Sequence, residues 1–410
     1  MRPYAHVLTL PDFRRLWTGA TLSTLGDGMT FVALSWLVLG QPGGTARLGL
    51  LGVCYTAPVL AGGLLVGPLL DRYDKRTVLA ADSLFRALAV ATVPLTAALG
   101  HVPASLPFFV AACYGLLKMV PLAGFPAAIP QLVGEDDLDA ANALESLSFS
   151  VAGVLGPVAA GLLISWIGAP YVLLVDCASF LLFAVAAVSV RKPLRPPAPS
   201  PRSGPRRPSI AALRRDRVIV ATTVAFMAFN IAEGMLLVTA PWLARTRLPG
   251  GAAALGALLS VAALGEIVGA AYAGGRHPRS RVRAIALVQI GAATAFLALL
   301  ASPRVAVIGV GFFTIGLLSA PMTVWAQSLR MRRIPAELHG RAFATLRTLM
   351  QATPPIGAAL VTPLLVNGRL GVAATVMALV AGVPAVYLLL GLPATAPAAR
   401  EAGAEQVPGG

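Results

Sequence analysis

Four ionisable side chains stand in the middle of long apolar runs: Asp27, Lys118, Glu233 and Glu266. Each lies about 12 to 15 residues from the end of its run, which at 1.5 Å of rise per helical residue is close to the middle of a bilayer. A charge at that depth costs on the order of several kcal/mol unless it is paired, protonated or engaged with a passing solute. These four are therefore the residues that could move a proton or hold a cargo. Helical spacing groups them with further polar residues: Ser23, Asp27 and Thr30 fall at i, i+4 and i+7, Phe226, Asn230 and Glu233 repeat the pattern, and Thr323 and Gln327 make an i, i+4 pair. Polar stripes of this kind must face protein or water.

The residues leave several roles open. Asp27 is either a structural acid or a proton-coupling group. Glu233 is the favoured proton carrier, and Glu266 either pairs across the molecule or couples. Lys118 is expected to partner Asp27 or to anchor an anionic group. Glu145 and Arg347, both nearer one membrane face, are expected to pair. Tyr55, Tyr114, Phe125, Phe149 and Trp325 offer aromatic cavity surface, although packing explains such residues as readily.

Other chemistries find no support. The three cysteines, Cys54, Cys113 and Cys177, lie in apolar runs without metal-ligand spacing, and the four histidines lie in tails or loops. No G-x-x-x-x-G-K-[ST] loop, H-E-x-x-H or G-x-S-x-G motif occurs. No metal, cofactor or enzymatic activity is expected, and ATP is not expected to power the chain by itself.

The elements that must position these residues follow from composition. Of 410 residues, 57% are hydrophobic and 12% charged, with a mean hydropathy of +0.78. So little polar surface suits a lipid solvent. The apolar runs are continuous, which suits helices and not the alternating pattern of a membrane barrel. Twelve spans are expected, at 17–40, 48–70, 78–99, 106–131, 142–166, 168–190, 218–243, 251–274, 283–301, 304–329, 341–365 and 369–392. The net charge of +15 is positional and needs no nucleic acid. Arg14, Arg15, Arg72, Lys75, Arg76, the run from Arg191 to Arg217, Arg276 to Arg283, Arg330 and Arg341 fall on one side, and the opposite loops hold only Arg47, Arg245, Arg247, Arg304 and Arg369. The positive-inside rule then puts both termini in the cytoplasm, with the first span an uncleaved anchor.

The Pro/Arg-rich stretch 191–217 can form neither helix nor core and divides the chain into six-helix halves, 1–190 and 218–392, followed by a tail at 393–410 expected to be disordered. The halves are weakly similar. Leu138-Asp139-Ala140-Ala141 corresponds to Leu338-His339-Gly340-Arg341, and Gly67 to Arg76 corresponds to the stretch from Gly274 to Arg279.

Gly67, Asp71, Arg72 and Arg76 match a G-x-x-x-D-R-x-x-x-R loop, and on these residues the chain resembles the major facilitator transporters. The resemblance implies a cytoplasmic latch formed by this loop, to which Arg86, with Asp82 at i−4, is expected to belong. Gly153, Gly156, Pro157 and Gly161 look like the family's helix 5 antiporter motif, with Ala160 in place of one glycine. Phe13-Arg14-Arg15-Leu16-Trp17, Ser23 to Asp27 and Leu174-Val175-Asp176 resemble the bacterial drug and siderophore exporters, macrolide-efflux and enterobactin-export proteins among them. The implied protein is all-α, with two pseudo-symmetric six-helix bundles, and acts as a monomer in the inner membrane. It exports an amphipathic small molecule, such as an antibiotic or siderophore, in exchange for protons. In that fold spans 1, 4, 7 and 10 line the cavity, placing Asp27, Lys118, Glu233, Asn230, Trp325 and Gln327 on or near the pathway. A lipid or lysolipid translocator and a transport-dead sensor or scaffold are the alternatives.

Overall fold

Continuous apolar runs in lipid satisfy their backbone groups internally only as helices. The computed structural model describes residues 2–134, 137–195, 216–274, 278–334, 346 and 348–391. Among them are twelve helices long and apolar enough to cross a membrane: α1 (Pro11–Leu39), α2 (Gly44–Leu70), α3 (Lys75–Ala98), α4 (Leu106–Leu132), α5 (Ala140–Ile167), α6 (Ala169–Ser189), α7 (Arg217–Thr246), α8 (Gly251–Ala273), α9 (Arg281–Ala301), α10 (Val305–Arg330), α11 (Thr348–Val366) and α12 (Leu370–Gly391). A short helix, Arg2–Thr9, precedes them. The main difference from the sequence reading is α1, which starts at Pro11 and not at 17. Proline is well placed there, because the first helical N–H needs no partner. Most of the 191–217 stretch and the tail at 393–410 lie outside the described residues.

Two spans are interrupted where proline removes a backbone donor. The helix breaks at Ala57 before Pro58 in α2, and at Lys118 shortly before Pro121 in α4. The two breaks face each other closely: a methyl group on Gly115 would stand 2.5 Å from the Tyr55 carbonyl oxygen.

The ends of the helices are built differently on the two sides. On the sparsely charged side Gly43 (φ 69°) and Gly250 (φ 90°) close the α1–α2 and α7–α8 turns in the left-handed region that glycine tolerates. On the basic side side chains cap the helices: Asp74 caps α3, Asp216 caps α7 and Ser280 caps α9.

Helices α1–α6 and α7–α12 form two bundles that meet through α5 on α8 and α2 on α11. Small residues make these contacts possible, as expected where lipid gives no hydrophobic drive. A methyl on Gly161 would come within 2.6 Å of the Ala252 carbonyl oxygen, and one on Gly52 within 2.9 Å of Val238 and 3.1 Å of Ala358. The Ser260 hydroxyl donates to the Val154 carbonyl at 2.5 Å. Gly52, Gly161, Ala252 and Ala358 lie in the halves of their helices nearer the sparsely charged side, so the bundles close the molecule there.

Candidate functional site

Below that closure a cavity of about 500 Å³ lies between the bundles. Its walls come from the basic-side half of α5 (Phe149, Ser150, Gly153), the middle of α7 (Phe226, Phe229, Asn230, Glu233), the later halves of α8 and α10, and Gln351 of α11. The i, i+4, i+7 stripe of α7 thus faces the cavity, as its spacing predicts. Glu266 of α8 shares the cavity with Glu233 of α7, a meeting of distant segments that neither helix announces locally. Glu266 is exposed to the cavity and Glu233 half-buried. Among the described residues neither carboxylate has an ion-pair partner within 4 Å, whereas acids elsewhere in the chain do. The Asn230 amide donates to the Met350 carbonyl at 3.1 Å, tying α7 to the start of α11.

Asp27 occupies a different setting. Arg86 of α3, 1% exposed, reaches Asp27 at 3.5 Å and Asp82 at 2.6 Å, and its guanidinium stands 4.8 Å from the Phe180 ring and 5.5 Å from that of Tyr114. Asp176 lies beside it, held by the Thr30 hydroxyl and, at 3.0 Å, by Ser179. Three expectations are corrected here. The ion partner of Asp27 is Arg86; the Lys118 Nζ instead sits 5.5 Å from the Tyr55 ring and makes no ion pair within 4 Å among the described residues. Arg86 points into the α1–α3–α4–α6 core, where its planar fork pairs with acids from two helices, and not toward the α2–α3 loop. Neither Asp27 nor Lys118 lines the large cavity.

The two acids are nevertheless related. Asp27-Gly28-Met29 in α1 and Glu233-Gly234-Met235 in α7 are the same local pattern, and each glycine seats its helix against another. A methyl on Gly28 would meet Gly156 Cα of α5 at 3.1 Å, and one on Gly234 would strike the Pro354 carbonyl of α11. Acid-glycine is therefore a repeated device at the α1–α5 and α7–α11 crossings, and among the described residues only the first copy has a cation in ion-pair reach.

The helix 5 motif is a contact face. Gly156 abuts Gly28 within its own bundle, Gly161 abuts Ala252 across the interface, and the Pro157 carbonyl faces Gly256. Gly153 is looser, its added methyl meeting Ala263 at 3.6 Å, and it lines the cavity. On α10, Trp325 is buried and donates to the Ala273 carbonyl at 3.4 Å. Gln327 is exposed, and neither residue lines the cavity, whereas Thr323 does. Trp325 is corrected to packing, because the helix turns it away from the stripe that Thr323 occupies, and Gln327 shares that stripe one turn nearer the basic end but is absent from the cavity lining.

At the basic end, Arg76 pairs with Asp74 at 2.9 Å and donates to the Val190 carbonyl at 2.8 Å. Burial pushes the Asp74 carboxyl up, but hydrogen bonds from the Arg76 side chain and backbone outweigh it and hold Asp74 below the usual carboxylate range. Asp12 accepts from the backbone N–H groups of Arg191 and Lys192 at 3.1 and 2.9 Å, fixing the start of the inter-bundle stretch. Arg72 ends the helical turn that runs on past Leu70 of α2 and is exposed. Of Gly67 and Asp71 only the helical backbone is described, and the placement of any Asp71 contact lies outside the described residues. Glu145 is half-buried, and its expected partner Arg347 likewise lies outside them.

The comparisons with known proteins agree with this architecture. The chain is 26% identical over 383 residues to the multidrug efflux pump Tap of Mycobacterium tuberculosis (strain ATCC 25618 / H37Rv), covering 87% of both. It is 24% identical over 258 residues to the staphyloferrin A transporter of Staphylococcus aureus (strain NCTC 8325 / PS 47), covering 62% of this chain and 64% of that one. The fold matches the crystal structure of the peptide transporter POT in complex with sulfate, with a TM-score of 0.72 and 15% identity, over 92% of this chain and 93% of the other. The family model described as Major Facilitator Superfamily matches residues 16–358. Twelve spans in two bundles, a cavity between them and a match over most of the chain come together in one assignment: this protein is a membrane transporter, not an enzyme, and belongs to the Major Facilitator Superfamily, resembling within it the drug-efflux and siderophore transporters.

Proposed function

We propose that this transporter exports an amphipathic small molecule in exchange for protons, with Glu233 carrying the proton. The observation that carries this reading is the contrast between the paired acids of the two bundles. Asp27 is tied to Arg86 at 3.5 Å, whereas Glu233 stands on the wall of the cavity with no cation within 4 Å among the described residues. An acid without a counter-ion at that depth is neutral or engaged, so it can alternate between a proton and a solute.

In the same reading both termini and the basic loops are cytoplasmic, the membrane is the bacterial inner membrane, and the working unit is a monomer. The bundles are 1–190 and 218–392, joined by the 191–217 tether. The cavity then lies on the cytoplasmic side of the α5–α8 and α2–α11 closure, as an exporter loading its cargo requires. Parting of the Gly161–Ala252 and Pro157–Gly256 contacts as the bundles rock opens the other side. Gly67, Asp71, Arg72 and Arg76 latch the cytoplasmic ends in that second state, and Glu145 with Arg347 joins them. The name of the efflux-pump relative supports export over uptake.

The test is a resistance and accumulation screen in a host stripped of its own pumps, with and without a protonophore. Protonophore-sensitive exclusion of at least one compound is expected. Protonophore-insensitive exclusion, or none across a broad panel, contradicts the proposal.

A further inference from the structure

Resting on the exporter reading, we infer that the cavity takes an amphipathic organic cation, bound through Glu266 and the aromatic wall, and rejects anionic cargo of the same size. The argument is one of charge and of hydrogen-bond sign. Two carboxylates, Glu233 and Glu266, line the cavity, and no lysine, arginine or histidine does among the described lining residues. Among the described residues, Arg330 stands behind this wall with its guanidinium 5.6 Å from the Phe226 ring. Arg330 is only 5% exposed and is absent from the lining.

The polar groups that remain are chiefly acceptors, because their donors are already used. Asn230 spends one N–H of its amide on Met350 at 3.1 Å, leaving the other and its carbonyl oxygen. Ser319 donates to the Gly316 carbonyl at 3.1 Å and Thr323 to that of Ser319 at 3.1 Å, leaving lone pairs. Ser150, Gln351 and the second N–H of Asn230 keep donors, set against two carboxylates and the lone pairs of Ser319 and Thr323. A surface rich in acceptors and poor in donors fits a solute bearing N–H groups and positive charge, and leaves a carboxylate or phenolate unsatisfied. Phe149, Phe226 and Phe229 supply apolar area, and the exposed Phe149 a ring face that attracts a cation further. Both acids line the cavity and Glu266 is the more exposed of the two, so it meets the cargo while Glu233 exchanges the proton.

The experiment uses two probes of one shape and opposite charge, tetraphenylphosphonium and tetraphenylborate, with the full-length purified chain. Binding is measured in the absence of any pH gradient, and protein-free micelles are subtracted. The phosphonium should bind and the borate should not. Glu266→Gln should weaken phosphonium binding at least tenfold, Glu266→Asp should retain most of it, and Glu233→Gln should bind with reduced pH dependence, each variant first checked by thermal unfolding. Equal or stronger borate binding, or undiminished phosphonium binding by Glu266→Gln, overturns the inference. Phosphonium binding without pH-gradient-driven transport leaves this inference standing and counts against the exporter reading. Proton-driven transport confined to anions does the reverse.

Discussion

The guanidinium of Arg86 in α3 reaches the carboxylate of Asp27 in α1 at 3.5 Å while holding Asp82 at 2.6 Å. One buried cation thus serves two acids from two helices, and it is the feature that distinguishes the N-terminal acid from Glu233. Removing one partner of a buried ion pair costs about 3–5 kcal/mol because the other charge is left uncompensated. Arg86→Met should therefore lower the melting temperature sharply and reduce the amount of folded protein in the membrane. Asp27→Asn should have a smaller effect, since the Asp82 pair persists. Melting curves of the two variants in detergent check the order; equal stability would remove Arg86 from its structural role.

Gly156 and Gly153 lie one turn apart on α5 but should respond differently to alanine. A methyl on Gly156 would approach Gly28 Cα and the Leu25 carbonyl oxygen to 2.9 Å, both of them backbone, whereas on Gly153 it would meet Ala263 at an ordinary 3.6 Å. Gly156→Ala should impair transport or folding, and Gly153→Ala should leave folding intact. Size-exclusion profiles and protonophore-sensitive efflux for each variant provide the comparison.

Asp74 caps α3 by accepting from the Arg76 N–H at 3.0 Å, and its carboxyl is held below the usual range, the hydrogen bonds from Arg76 outweighing burial. A depressed acid contributes stability that is fully present above its unfolded pKa and fades as pH falls through its folded one. Asp74→Ala should therefore destabilise by about 1 kcal/mol near neutral pH, the usual worth of a cap. The difference from the parent protein should shrink as the pH falls below the ordinary range of an aspartate. A difference independent of pH would mean that the charge of Asp74 plays no part.

Single cysteines at Tyr73 and Pro249, in a background with Cys54, Cys113 and Cys177 replaced, should label from opposite sides of the membrane. Tyr73 follows α2 at the basic end, and Pro249 lies in the α7–α8 turn at the other. The first should react only when reagent reaches the cytoplasm. Labelling of both from one side would contradict the orientation.

The helices were largely legible because each run is as long as a bilayer is thick, a signal carried by one segment at a time. The same locality made the α7 stripe readable: Phe226, Asn230 and Glu233 share a face through helical spacing alone. Pairing across helices was not readable. Lys118 and Arg86 are both basic residues at plausible depths for Asp27, and only packing puts Arg86 on the Asp27 side. Glu266 belongs to the cavity because α8 crosses beside α7, which nothing in its own neighbours announces. The Asp27-Gly28-Met29 and Glu233-Gly234-Met235 repeat was present in the sequence, but it acquires meaning only when both glycines are seen at helix crossings. On α10 Gln327 shares the face of Thr323, and its spacing alone could not say that the cavity stops a turn short of it.

The central claim is that Glu233 carries the coupling proton while Asp27 is held by Arg86. It is tested most directly in proteoliposomes with Glu233→Gln, measuring transport driven by an imposed pH gradient alongside cargo exchange without one, and with Asp27→Asn assayed in parallel. The amide keeps the size and hydrogen bonding of the side chain but cannot exchange a proton, so gradient-driven transport should fall to background while exchange persists. Gradient-driven transport that survives in Glu233→Gln but is lost in Asp27→Asn would assign coupling to α1 and contradict the account.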